Sequence, residues 1–297
     1  MKNEELKIER VEIQMNESEM KNSSGANAVG EVVMRIERSF RTAVTPSARV
    51  LEIASMFGLG VDESRLLQVV PPTTLRMRGG EVVFITGPSG SGKSTILRLI
   101  GEQVPEGQCL DFAVFLQAEE GNTDEVSNDG EGSYRDDIPI IERVGGSVEE
   151  ATRVLSLAGL ADAFVMLRSA RELSDGQRYR FALARVIDFV ESKAGKKNEG
   201  GITGTEGLIV ILADEFGAAL DRLSAAMIAR NIRKWVSGKS NILFIAATTH
   251  DDFLEALDPD VLIYKPLGDG IEVLHRVEDE AGEESSAGVQ ATAGGAE

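Results

Sequence analysis

Apolar positions along the chain form two kinds of run, and their order predicts strands separated by helices. Residues 31–41 alternate, with Met34, Ile36, Arg38 and Phe40 on one side, which predicts a strand with one mainly apolar face. From Ser47 to Phe57, Val50, Ile53, Ala54 and Phe57 fall on one helical face behind a serine cap, and Gly58 and Gly60 end the pattern. Gly79-Gly80 reads as a turn, 81–86 as a short strand, and Ile96, Leu97, Leu99 and Ile100 as the apolar side of the next helix. A further buried strand is read at 111–116. Helical spacing covers 147–167, broken near Gly159, and then 173–191, with Tyr179, Phe181, Leu183, Val186 and Ile187 as its apolar members. Five glycines within 193–207 mark a loose loop. The unbroken apolar runs 208–213 and 241–247 have the composition of strands buried on both faces of a parallel sheet. A helix is read over 221–236, and strands over 261–264 and 271–274. Strand and helix alternating in this way predict an α/β fold with a doubly wound, mainly parallel sheet.

Composition narrows the class. Of the 297 residues, 42% are hydrophobic, enough for an ample core. The single cysteine, Cys109, excludes an internal disulfide and a cysteine-based zinc site, which fits a reducing compartment. The first residues carry acid and no apolar run, so they do not read as a signal peptide. No uncharged apolar stretch is long enough to span a bilayer.

The net charge of −18 is localised. Residues 1–20 hold six acids and three bases, 117–137 eight acids and one base, and 277–297 six acids and no base, leaving −2 for the rest. We therefore read 1–29 and 277–297 as disordered acidic tails, 118–137 as an acidic insertion, and 30–276 as the folded domain. A globally basic surface for nucleic acid is excluded, although a local groove is not.

One motif carries chemistry outright. Gly87-Pro88-Ser89-Gly90-Ser91-Gly92-Lys93-Ser94, followed by Thr95, stands between a predicted strand and a predicted helix, the context a phosphate-gripping loop requires. Glycines let successive N–H groups turn toward phosphate oxygens, and the helix N-terminus adds its positive end. Lys93 supplies a charge for the β- and γ-phosphates and Ser94 a hydroxyl for Mg²⁺. Asp214 and Glu215 close the apolar run 208–213, where a strand end in this fold faces the crevice beside the phosphates. Asp214 is thus a candidate Mg²⁺ ligand and Glu215 a candidate general base.

Three further segments carry a resemblance. Leu173-Ser174-Asp175-Gly176-Gln177 resembles the signature motif of ABC ATPases, Asp214-Glu215 with Ala219-Leu220-Asp221 resembles their acidic strand end and following loop, and Thr248-Thr249-His250 resembles their switch-histidine loop. The chain is similar in particular to soluble ABC-type ATPases, some fused to an acetyltransferase domain. The resemblance implies an ABC-type P-loop fold with a helical subdomain, placed at about 147–192. It also implies ATP and Mg²⁺ as ligands, and two chains sandwiching two ATPs. In that arrangement Ser174, Gly176 and Gln177 of one chain reach the other's nucleotide, Asp221 is a further nucleotide-binding candidate, and His250 contacts the γ-phosphate. An aromatic residue is expected on adenine. Phe57 is the candidate, with plain core burial as its alternative. Gln117 stands for the family's Mg²⁺-contacting glutamine or for a strand-end surface residue, with Asp136 and Asp137 as rivals. Asp175 stands where the family commonly has glycine and Phe216 where it has proline.

The expected function is a cytoplasmic, non-transport ATPase converting ATP and water to ADP and phosphate. It would act as an ATP-dependent homodimer on a cytosolic partner, an acetyltransferase or a nucleic acid. The alternative is the ATP-binding subunit of an ABC membrane transporter.

Overall fold

The computed structural model describes residues 32–42, 47–58, 65–119, 137–195, 207–250, 252–268, 270–276 and 290–291. In chain order the elements are β1 (Val32–Thr42), α1 (Ala48–Met56), β2 (Arg65–Met77), β3 (Val82–Thr86), α2 (Lys93–Gly101), β4 (Cys109–Asp111), α3 (Phe112–Glu119), α4 (Val148–Leu157), α5 (Ala163–Met166), α6 (Asp175–Gly195), β5 (Ile209–Ala213), α7 (Arg222–Ser237), β6 (Ile242–Ala247), α8 (Phe253–Leu257), β7 (Val261–Tyr264), β8 (Glu272–His275) and β9 (Gln290–Ala291).

The strands form a sheet of order β4-β5-β6-β3-β7-β8-β9, parallel from β4 to β7 and antiparallel beyond. Every residue of β3, β5 and β6 is buried, as an apolar run without alternation requires. Successive side chains then feed two apolar layers. Phe84, Ile211 and Phe244 pack with Leu155 of α4, Phe181 of α6 and Ile228 of α7. Val83, Leu212 and Ile245 pack with Ile96 and Ile100 of α2 and with Met34, Ile36 and Leu75 of a separate antiparallel pair, β1 and β2. The chain is an α/β protein with a mixed, mostly parallel sheet.

Apart from α8, a short helix that the sequence reading does not predict, four elements differ from that reading. The first is β2, which the sequence reading does not predict. It contains Pro71-Pro72, which lack ladder donors, and among the described residues its only partner is β1, so it is an edge strand. The second is the run at 111–116, which is not a strand. The Asp111 carboxylate accepts the Ala113 N–H at 2.9 Å, an Asx turn that ends β4 and starts α3. The third is α1, which forms behind its Ser47 cap, the hydroxyl accepting the Val50 N–H at 3.3 Å, but buries only Ala54. Ile53 and Phe57 are exposed. The fourth is β9, a two-residue strand within the stretch read as a tail. It pairs with Leu274 and His275 on the open edge of β8. The expectations for 1–29, most of 118–137 and the rest of 277–297 lie outside the described residues.

Candidate functional site

The carboxyl ends of β3, β5 and β6 reach one edge of the sheet, and each leads into a segment of the site. After Thr86 the backbone turns through Gly87, Gly90 and Gly92, at φ of 144°, 75° and 108°. At Gly87 the requirement is also steric. A Cβ there would stand 2.1 Å from the carbonyl oxygen of Lys265, at the end of β7. Helix α2 starts at Lys93 with no side chain capping it, so its first N–H groups face the loop's concavity. The Lys93 ammonium is buried and donates to the carbonyls of Gly87 and Pro88, both at 2.9 Å. Burial holds it below the usual lysine range, opposed by the carboxylates of Asp214 and Glu215. Ser91 Oγ is buried with no hydrogen-bond partner among the described residues. A phosphate group suits this loop: the orphaned hydroxyl and the uncapped N–H groups are hydrogen-bond donors, and the ammonium is a matching charge.

After β5, the Asp214 carboxylate accepts the Glu215 N–H at 3.0 Å. Glu215 sits at φ 49°, a left-handed conformation that is uncommon and strained for a glutamate. The Phe216 N–H donates to the Ala247 carbonyl at 2.9 Å. Phenylalanine can give this N–H where a proline could not. After β6, Thr248 is buried and His250 exposed, its N–H directed at Thr248 Oγ1 at 3.3 Å.

These segments enclose a cleft of about 520 Å³, within the range of small-ligand sites. Its walls are Ser89, Gly90 and Gly92 to Thr95, then Asp214, Glu215 and Ala218, then Thr248, Thr249 and His250, with Phe40 and Val69 from the β1–β2 pair. Ser94 and Asp214 offer a hydroxyl and a carboxylate, the hard oxygen donors that a Mg²⁺ ion shares with substrate phosphates. Among the described residues no group of three or more His, Cys, Asp and Glu side chains could hold a metal without such help.

Not every expected residue reaches the cleft. Phe57 is 73% exposed at the end of α1 and does not line the cleft, so core burial does not describe it. Phe40 takes its place in the wall, 47% exposed. The alternation put Phe40 on the buried side of β1. Register shifts around Arg38 break that alternation, and bulges of this kind re-aim the side chains beyond them. Gln117 lies on the exposed side of α3 and does not line the cleft, because the segment carrying it is helical. Of its rivals, Asp137 is exposed and paired with Arg171 at 3.3 Å, and Asp136 lies outside the described residues. Ser174 and Gln177 bond to each other across the start of α6, Ser174 N–H to Gln177 Oε1 at 3.0 Å and Gln177 N–H to Ser174 Oγ at 3.4 Å. They and Gly176 stand outside the cleft of their own chain. A Cβ on Gly176 would lie 3.4 Å from the Ala219 carbonyl oxygen, so this turn abuts the loop after Glu215. Asp221 caps α7 by accepting the Ser224 N–H at 2.9 Å, and hydrogen bonding from the Ser224 hydroxyl, then from its N–H, holds the Asp221 carboxyl below the usual range. Asp175, exposed, pairs with Arg178 at 3.2 Å.

Residues 70–189 match the model of a family described as "ABC transporter". Among curated relatives, YjkB of Bacillus subtilis (strain 168), provisionally named an ABC transporter ATP-binding protein, is 28% identical over 184 residues, which are 58% of this chain and 66% of that one. The sn-glycerol-3-phosphate import ATP-binding protein UgpC of Escherichia coli (strain K12) is 34% identical over 145 residues, 40% of this chain and 37% of that one. The sulfate/thiosulfate import ATP-binding protein CysA of Synechococcus elongatus is 27% identical over 241 residues, 72% and 59% respectively. The chain thus spans less than two thirds of each of these relatives.

Proposed function

We infer, from the premise that this chain carries an ATP-hydrolysing domain of the ABC class, that it is the ATP-binding subunit of an ABC transporter. On this reading it binds Mg·ATP in the cleft at the carboxyl ends of β3, β5 and β6. The observation that carries the nucleotide reading is the convergence of Lys93, Ser94, Asp214, Glu215 and His250 on one cleft. The names of the three relatives, two of them import ATP-binding proteins, favour the transporter over the non-transport role expected from the sequence. They lend no support to an acetyltransferase partner. Among the described residues no helix is long and apolar enough to cross a membrane.

The mechanism follows from the side chains. N–H groups of 89–95 and the Lys93 ammonium hold the β- and γ-phosphates and offset their charge. Ser94 and Asp214 would hold Mg²⁺, which would supply positive charge beside the phosphates. Glu215 accepts the proton of the attacking water, and His250 orients that water against the γ-phosphate. A second chain would bring Ser174 and Gly176 to the γ-phosphate from the far side, with the start of α6 as the anion-facing helix end.

Replacing Glu215 with Gln keeps the shape and removes the base. Turnover is expected to fall about 10²–10⁴-fold while Mg·ATP affinity stays near wild type, as read by phosphate release and calorimetric titration. Persisting turnover would remove Glu215 from its role. With ATP, the same variant purified from detergent-solubilised membranes is expected to retain a polytopic membrane protein. Recovery of soluble partners alone would return the reading to a non-transport ATPase.

A further inference from the structure

Tyr179, in the first turns of α6, touches the backbone that carries Glu215. Its side chain is 3% exposed, and its hydroxyl accepts the Gly217 N–H at 2.8 Å. The ring packs edge-on against Phe112, centroids 4.8 Å apart. Burial pushes the phenol well above its ordinary range, so it is neutral throughout the physiological range.

The turn it holds has little freedom. Gly217 sits at φ 75°, and a Cβ there would come 2.3 Å from the Phe253 ring. The Phe216 ring is wedged edge-on against Phe244 and Phe253. Three successive N–H groups are each held, that of Glu215 by the Asp214 carboxylate, that of Phe216 by the Ala247 carbonyl, and that of Gly217 by Tyr179. Of these, only the last bond brings in a side chain from another element. The strained φ of Glu215 persists only while its surroundings over-determine it.

We propose that Tyr179 is a positioning residue: through its hydroxyl and the Gly217 N–H it fixes the left-handed turn that aims the Glu215 carboxylate into the cleft. The proposal rests on the reading of Glu215 as the base. Tyr179 itself lines no part of the cleft, so its effect is on the chemical step and not on nucleotide affinity.

The test is a double-mutant cycle in the full chain, with Tyr179→Phe, Glu215→Gln and the pair. The readouts are single-turnover hydrolysis of Mg·ATP and Mg·ATP affinity, at a temperature where circular dichroism shows all four proteins folded. Tyr179→Phe keeps the ring and its packing. It is expected to slow hydrolysis about tenfold with affinity within about twofold of wild type, and to have no further effect once Glu215 is Gln, because both changes disable one device. An unchanged rate in Tyr179→Phe, a matching loss of affinity, or an equal fall in the Glu215→Gln background would each overturn the positioning role. If Glu215→Gln alone keeps the wild-type rate, the base assignment fails first, and that failure is visible without reference to Tyr179.

Discussion

Lys93 shows how one residue is set up for its ligand. Its ammonium is turned onto the loop's own carbonyls in a buried position, and desolvation lowers its affinity for a proton. Binding a polyphosphate adds negative charge at that nitrogen and raises the proton affinity again. Between the lowered value and the raised one, the complex therefore holds more protons than the free protein. Mg·ATP binding at alkaline pH is expected to take up protons, seen as calorimetric heats that change with the buffer's ionisation enthalpy, and Lys93→Met should lose that dependence. Proton release attributable to Lys93 would contradict the sign. Truncation to Lys93→Ala should weaken Mg·ATP binding by about 2–5 kcal/mol, the cost of leaving buried charge unmatched, checked by the same titration.

At the scale of elements, the glycine loop depends on its neighbour in the sheet. Gly87→Ala would drive a methyl into the Lys265 carbonyl at a φ that alanine tolerates poorly. The expected outcome is a chain that still folds, by circular dichroism, but binds nucleotide at least about tenfold more weakly, since a small misplacement of a positioned group is costly. The elements that the sequence made legible were those whose signal is local and strong: the apolar runs of β3, β5 and β6, the loop 87–92, and the helices behind Ser47, Ser147 and Asp221. Those missed depend on contacts distant in sequence. Strand β2 carries two prolines and exists because β1 pairs with it. Phe115 and Leu116 suit either a strand or a helix, and the Asx turn at Asp111 decided for the helix. Phe40 and Phe57 are both aromatic residues ahead of the glycine loop, and only the register shifts around Arg38 distinguish the one in the wall from the one in solvent.

The whole molecule is acidic, with a net charge of −18, so any pairing of two copies works against long-range repulsion. If two copies sandwich ATP as proposed, their dimer, trapped in Glu215→Gln with ATP, should therefore tighten as salt rises from about 0.05 to 0.3 M, where screening shortens to below about 10 Å. Light scattering at matched protein concentrations checks this, and a dimer that loosens over that range would place attractive charge at the interface instead. The β1–β2 pair carries a second consequence for the molecule as a unit. Strand β1 and the first half of β2 lie ahead of the span 70–189 that matches the family, yet they contribute Met34 and Ile36 to an apolar layer and Phe40 and Val69 to the cleft wall. Deleting 1–69 would strip one side of α2 to solvent and open the nucleotide's enclosure, giving a fragment expected to aggregate. The smallest autonomous piece must include β1 and so begin no later than Val32, some forty residues upstream of where the family match begins.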